Sequence, residues 1–297
     1  MRARHFTQLA GLSALWGAGF LFTRIATPQL GPAVTAGCRV GLGAVTLLMI
    51  MRWLGLRWPR DHWRELLLLG ATGIAGPQFL YAWASRYLPA GYSAVLGVTS
   101  VLFGAFASAW MKEESLTWSK MLGCVTAFLG VALVVQLGPL RPTSDVVSAT
   151  LVALCGSLLS GSTTPLFKRA TSRMEPLALT AGVHVAGFFW LLPAALWNLP
   201  KAHVTPTAVA AVAIMGIATS GLAYWQYMRI VRLVTPIAAL SSTFMTTVFG
   251  VLWGHLFLSE TFTSGSYFGG ALVLLAAMLV TGFNPLRSLP WLNPVKP

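Results

Sequence analysis

Chemistry in this chain starts with aromatic rings, amides and hydroxyls set inside apolar sequence. Gln78, Tyr81 and Ser85 are spaced i, i+3, i+7, so a helix places them on one face. Tyr224, Tyr227 and Val231 repeat that spacing 146 residues later. Phenols and an amide on such a face hydrogen-bond a zwitterionic group, while the rings wall an apolar one. Trp16 matches Gly161 at an offset of 145, and Gly161 is flanked by Ser160, Ser162, Thr163 and Thr164. A large ring opposite a Gly/Ser/Thr patch predicts a partly polar cleft. The candidate binding set is therefore Trp16, Gln78, Tyr81, Ser162, Thr163, Tyr224 and Tyr227. The competing reading is packing: small residues let helices approach in membranes, and Trp and Tyr favour membrane interfaces.

Arg39 and His184 also match in the repeat and fall inside apolar runs. Arg39 suits a carboxylate through bidentate hydrogen bonds, and His184 titrates near neutral pH. Alternatively, Arg39 snorkels to the nearer interface and His184 packs with a local partner. All seven carboxylates (Asp61, Glu65, Glu113, Glu114, Asp145, Glu175, Glu260) fall in connections or at helix ends. A carboxylate at membrane depth is the usual binder of a cation or relay of a proton, so its absence argues against a cation antiporter. Glu114 and Glu260 fit either a gate or ion site, or helix-end structure with Thr117 and Thr263 as caps.

No Gly-x-Ser-x-Gly, phosphate-binding loop or His-Glu-x-x-His is present, and the five histidines are dispersed. Cys38, Cys124 and Cys155 lie inside apolar runs without paired spacing, so neither a disulfide framework nor a zinc site is expected. No catalytic residue, metal or cofactor is expected. The formal charge of +13 has no basic stripe behind it, which argues against a nucleic-acid partner.

Membrane helices must position these groups. Hydrophobic residues make up 56% and charged residues 9% of the 297-residue chain, against about 25% charged in a soluble domain. A spanning helix needs roughly 20 apolar residues. Ten runs qualify: Phe6–Ala26, Ala33–Met51, Glu65–Arg86, Gly91–Met111, Trp118–Leu137, Val146–Phe167, Leu177–Trp197, Thr207–Arg229, Pro236–Leu258 and Gly265–Phe283. The fold class is all-α, integral to the membrane. Pro32, Pro89, Pro176, Pro206 and Pro236 stand where helices begin. The first run exceeds a signal-peptide core and is read as a retained helix. Fifteen of twenty basic residues lie on one side of this arrangement; Arg24, Arg86, Arg141 and Lys201 lie on the other, and Arg39 lies within a run. The positive-inside rule then places both termini in the cytoplasm.

The second half repeats the first. Gly70, Tyr81, Arg86, Phe103, Gly104, Glu114, Thr117 and Gly123 match Gly216, Tyr227, Arg232, Phe249, Gly250, Glu260, Thr263 and Gly269. Five helices per half is an odd number, so the halves insert with opposite orientation, as in secondary transporters. Glycine spacings Gly37/Gly41, Gly250/Gly254 and Gly265/Gly269 suit either dimerisation or close packing within one bundle.

Glu114-Ser115-Leu116-Thr117 followed by Gly123 and Gly130, with its second copy Glu260-Thr261-Phe262-Thr263 followed by Gly269, resembles the repeat end of EamA proteins. Trp16-Gly17 and Tyr81-Ala82 add to that resemblance, which covers nearly the whole chain. It implies a member of the drug/metabolite transporter superfamily, with ten helices in two inverted five-helix halves and export of small metabolites. Within the family the chain most resembles the YddG-type amino-acid exporters. The expected organisation is a first repeat at 1–137, a linker at 138–145, a second repeat at 146–284 and a cytoplasmic tail at 285–297. The expected function is export of small amphipathic metabolites, amino acids foremost, across the cell inner membrane by a monomer. Alternatives are a drug or nucleotide-sugar carrier, a channel, and an integral-membrane transferase. The topology has a direct test. Single cysteines at positions 57 and 173, in a cysteine-free background, should resist an impermeant thiol reagent in intact cells, while one at position 201 should react; external labelling at 57 would overturn the assignment.

Overall fold

The computed structural model describes residues 3–88, 90–135, 143–258 and 264–281, and those residues form helices and short connections without a strand. Glu260, Thr263, linker residues 138–142 and the tail at 285–297 lie outside the described residues. The chain runs through α1 (Ala3–Leu30), α2 (Pro32–Trp53), α3 (Trp63–Gly70), a π-helical segment π1 (Ala71–Ala75), α4 (Gly76–Ala84), α5 (Ala90–Trp110) and α6 (Trp118–Val135). It continues through α7 (Ser144–Arg173), α8 (Pro176–Asn198), α9 (Pro206–Ile214), a second π segment π2 (Met215–Leu222), α10 (Ala223–Leu233), α11 (Pro236–Leu240), α12 (Ser242–Leu258) and α13 (Ser264–Thr281). Among the described residues, six helices are long and apolar enough to cross a membrane: Thr7–Leu30, Pro32–Trp53, Arg60–Ala84, Ser144–Arg173, Pro176–Lys201 and Pro206–Leu233. Shorter apolar stretches are Leu96–Trp110, Trp118–Leu133 and Phe268–Val280.

Helix starts follow from the need to satisfy the first backbone N–H groups. Proline opens α2, α8, α9 and α11, where its missing N–H costs nothing. Thr143 caps α7 by accepting from Val146 N at 3.3 Å, and Thr205 caps α9 by accepting from Ala208 N at 3.2 Å. Glu175 Oε2 accepts from Leu177 N at 2.6 Å and Ala178 N at 3.1 Å, placing a negative charge at the positive end of α8. Large apolar side chains point outward along the bundle, and Trp53, Trp110, Trp118 and Trp197 are exposed at helix ends. An indole at such a position suits the membrane–water boundary.

Two runs expected as continuous helices contain π segments instead. Ala71–Ala75 and Met215–Leu222 occupy matching places in the repeat, with the matched glycines Gly70 just before the first and Gly216 inside the second. A Cβ on Gly70 would come within 2.8 Å of Val183 O and 2.9 Å of Gly187 N. A Cβ on Gly216 would come within 2.5 Å of Leu42 Cβ and 3.0 Å of Arg39 O. The same close crossing is therefore made twice, α3 against α8 and π2 against α2. Of the GxxxG glycines, Gly37 abuts Ala195 and Gly41 abuts Phe188, while Gly250 lies against Gly17, so these contacts are made within one chain.

Gly161 does not line an open cleft. A Cβ there would collide with Ser100 O and sit 2.8 Å from Gly104 N, because α5 backbone fills the space. Gly161→Ala should therefore destabilise the bundle by about 1–3 kcal/mol through overpacking. Gly11→Ala, with nothing within 4 Å of the added methyl, should be neutral or stabilising by up to about 1 kcal/mol. Denaturant melts of the purified protein in detergent compare the two; equal midpoints would refute the close α5–α7 contact.

Candidate functional site

Three rings meet at the centre of the largest buried cluster. Tyr224 and Tyr227 stand three residues apart on α10, directly after π2, so they share a face. Their centroids are 5.8 Å apart, and Trp16 of α1 lies 5.1 Å from Tyr227 and 5.9 Å from Tyr224. His184 approaches Tyr224 at 5.0 Å with an interplanar angle of 77°, and Phe167 closes another side at 6.4 Å. Tilted and edge-on pairs of this kind add about 0.5–1.5 kcal/mol each beyond area burial.

Polar atoms fix these rings. Trp16 Nε1 donates to Thr219 O at 3.1 Å, and Tyr224 OH donates to Gly73 O at 3.3 Å. Both acceptors belong to π segments, Thr219 to π2 and Gly73 to π1. The aromatic cluster thus ties the two π segments together. Thr164 neighbours the Tyr227 hydroxyl, and His184 Nδ1 donates to Thr180 O at 2.9 Å. Arg39 turns onto π2: its Nε donates to Ser220 Oγ at 2.9 Å and its Nη2 to Thr219 Oγ1 at 3.1 Å. The glycine crossing of α2 on π2 brings these hydroxyls within its reach.

The remaining expected residues sit differently. Tyr81 is not part of the ring cluster: its hydroxyl pairs with Ser157 Oγ at 2.7 Å, its ring lies on Gly156, and Ser157 in turn donates to Leu96 O at 2.7 Å. π1 spans five residues and π2 eight, so the two repeat-matched helices do not share one backbone conformation. Gln78 is half-buried near the start of α4, and its amide has no partner among the described residues. Thr163 is buried with its methyl toward Gly73 and its hydroxyl on Leu159 O, whereas Ser162 is half-buried. Thr219, Ser220, Ser157 and Phe167 were not among the sequence candidates. Thr219-Ser220-Gly221 is a small polar triplet inside an apolar run, and that was the available signal.

Glu114 does structural work between the halves. Its Oε2 accepts from Ile237 N at 3.0 Å, capping α11, and its Oε1 pairs with Lys120 at 2.8 Å. Glu113 pairs with Arg169 beside it, and Arg169 Nη2 also donates to Met111 O at 2.6 Å. Thr117 meets Lys120 N at 3.4 Å, as a cap of α6. Among the described residues, no group of three or more His, Cys, Asp or Glu is placed to hold a metal ion.

Long apolar helices packed around an internal, polar-tethered cluster are the architecture of a helical membrane protein. The model of the EamA-like transporter family matches residues 7–136 and again 147–282, and the chain belongs to that family. An "Uncharacterized transporter" of Archaeoglobus fulgidus is 25% identical over 279 residues, covering 92% of this chain and 96% of the relative. An "S-adenosylmethionine/S-adenosylhomocysteine transporter" of Chlamydia trachomatis is 22% identical over 285 residues, covering 90% and 85%. A solved crystal structure superposes with a TM-score of 0.80 at 16% identity, over 95% of this chain and 99% of the other, which shows a shared fold.

Removal of the Glu114 cap is measurable. Glu114→Ala should lower stability by about 0.5–2 kcal/mol, the usual cost of losing a capping side chain. Ser115→Ala, which removes an exposed hydroxyl and keeps the carbonyl that receives Lys120, should stay within about 0.5 kcal/mol of the parent. Thermal unfolding in detergent tests the pair; a wild-type melt for Glu114→Ala would mean that α11 is capped by something else.

Proposed function

We propose that this chain is a secondary transporter that exports small amphipathic metabolites, amino acids with aromatic or apolar side chains among them, across the inner membrane. In this reading the chain crosses the bilayer ten times as two inverted five-helix halves, residues 1–137 and 146–284, with both termini cytoplasmic. Alternating access operates on a monomer around a central cavity bounded by Trp16, Tyr224 and Tyr227. The observation that carries the reading is the ring cluster strung between π1 and π2, the irregular backbone of the two repeat-matched helices. π turns inside α-helices are rare overall but frequent at functional sites, and transporters place substrate where helices of the two repeats are irregular near the midplane. Rings suit an apolar side chain; hydroxyl, imidazole and guanidinium groups suit a zwitterionic backbone. Gln78, with its amide unengaged, is a further wall residue, and Tyr81, Ser162 and Thr163 support the adjoining α7 face. In this reading the chain works as a YddG-type exporter.

A second substrate class has support from the Chlamydia trachomatis relative named for S-adenosylmethionine and S-adenosylhomocysteine. Those molecules join an amino-acid head to a nucleoside, so aromatic walls and a carboxylate partner would serve them as well.

The test is counterflow in proteoliposomes with a panel of common amino acids and S-adenosylhomocysteine. Saturable counterflow of aromatic amino acids is expected, with Trp16→Ala weakening them roughly ten- to a hundredfold, the equivalent of one large buried side chain, and small amino acids less. Folded parent protein that exchanges none of the amino acids would end the amino-acid reading, and exchange of S-adenosylhomocysteine alone would favour the second class.

A further inference from the structure

Arg39 carries a charge that no carboxylate among the described residues answers. It stands about two turns inside α2, roughly 10 Å from the helix start. Its hydrogen bonds go to two neutral hydroxyls, Ser220 Oγ and Thr219 Oγ1. Glu65, Glu113 and Glu114 are engaged elsewhere, and among the described residues no carboxylate pairs with Arg39. A charge at membrane depth is costly and normally meets a partner or a water-filled path. Moreover, a guanidinium has five N–H donors in a fixed fork. The two bonds to π2 use Nε–H and one Nη2–H, which leaves the Nη1 hydrogens and the second Nη2 hydrogen. Those are adjacent donors of the kind that grip both oxygens of a carboxylate.

The neighbours supply direction. Arg39 Nη2 and Trp16 Nε1 both bond Thr219, so Arg39 borders the ring cluster. His184, its match in the repeat, already donates Nδ1–H to Thr180 O and offers no negative charge. A cation held by two hydroxyls on one side, with aromatic rings next to it, is complementary to a molecule with an anionic end and an apolar body.

We propose that Arg39 is the carboxylate anchor of this site, so that the protein takes organic carboxylates, zwitterionic amino acids and simple aromatic acids alike, and discriminates against the matching esters and amines. The proposal deepens the transport reading and rests on the ring cluster being the substrate site. The rival role is a brace that fastens α2 to π2. A brace, once weakened, lowers binding of every ligand equally; an anchor affects only those with a carboxylate.

The experiment uses the full chain, purified in detergent for ligand-induced thermal shift and reconstituted for counterflow. The probes are L-phenylalanine, 3-phenylpropionate, L-phenylalanine methyl ester and phenethylamine. In the parent, the two carboxylates should bind roughly ten- to a hundredfold tighter than the ester and the amine, the range for one charge-assisted bond. Arg39→Gln should bring that ratio close to one while leaving the weak binding of the ester unchanged. Arg39→Lys, which keeps the charge without the fork, should retain the preference at reduced affinity. A parent that treats acid and ester alike, or an Arg39→Gln variant that keeps the ratio, overturns the proposal. Should Arg39→Gln fail to fold, Ser220→Ala releases the guanidinium without removing it; the acid-to-ester ratio must then change severalfold, and an unchanged ratio is equally fatal. The two readings separate cleanly. Binding of 3-phenylpropionate through Arg39 without counterflow of any amino acid sinks the amino-acid export and keeps the anchor. Counterflow of phenylalanine and its methyl ester at equal rates keeps a carrier and sinks the anchor.

Discussion

Backbone polar groups within a bilayer have no water to fall back on, so each must find a partner inside the protein. That constraint makes the described chain helical throughout and explains why helix starts carry Pro, Thr or Glu in the roles given above. It also fixes the central cluster. At π1 and π2 the backbone leaves regular α geometry, and side chains from other helices meet its carbonyls: Tyr224 at Gly73 and Trp16 at Thr219. The rings are therefore located by the backbone's requirement and not only by burial. Each joins an apolar body to one polar handle, the combination needed to bridge an irregular helix and a dry core.

A second dependence is steric. α2 can lie on π2, and α3 on α8, only because Gly216 and Gly70 leave no Cβ between the backbones. That closeness, in turn, is what puts Ser220 and Thr219 in reach of Arg39. Duplication preserved this framework, as the paired glycines and paired π segments show, and let the side chains on it diverge. Gln78 stands where the second half has Tyr224, Arg39 where it has His184, and Trp16 where it has Gly161.

Helix positions were legible in the sequence because apolar runs and proline punctuation report them directly. Trp16, Tyr224 and Tyr227 were legible as neighbours because the repeat brings their helices to a shared centre. The π segments were not. A π turn winds in extra residues without altering composition, and Ala71–Ala75 reads equally well as α-helix. Convergence of Tyr81 with Tyr227 presupposed that matched residues keep matched neighbours; instead Tyr81 meets Ser157 and Tyr227 meets Trp16. Gly161 failed for another reason. A glycine among serines and threonines is consistent with an open cleft and with a backbone pressed against it, and interiors are packed densely enough that the second outcome is common. Nor does the pairing of Glu114 with Ile237 follow from any local motif, since it joins residues 123 apart in the chain.

Framework and side chains answer to different demands. If the bundle works by exchanging the roles of its two halves, the halves must have similar backbones, or one of the two states would be disfavoured. A substrate with a charged end and an apolar end has no such symmetry, and a site with identical contributions from each half would offer it two equivalent, poorly matched orientations. The divergence at matched positions resolves that conflict. In the proposed site one half contributes the cation Arg39 and the indole of Trp16; the other contributes the phenols, the hydroxyls of Thr219 and Ser220, and the imidazole of His184. Arg39 is held by hydroxyls of the opposite half, so its position depends on the contact between halves as well as on its own helix. A rearrangement that separates α2 from π2 would strip those two hydrogen bonds from a guanidinium already short of partners, so the α2–π2 contact is the one the bundle has most reason to keep closed.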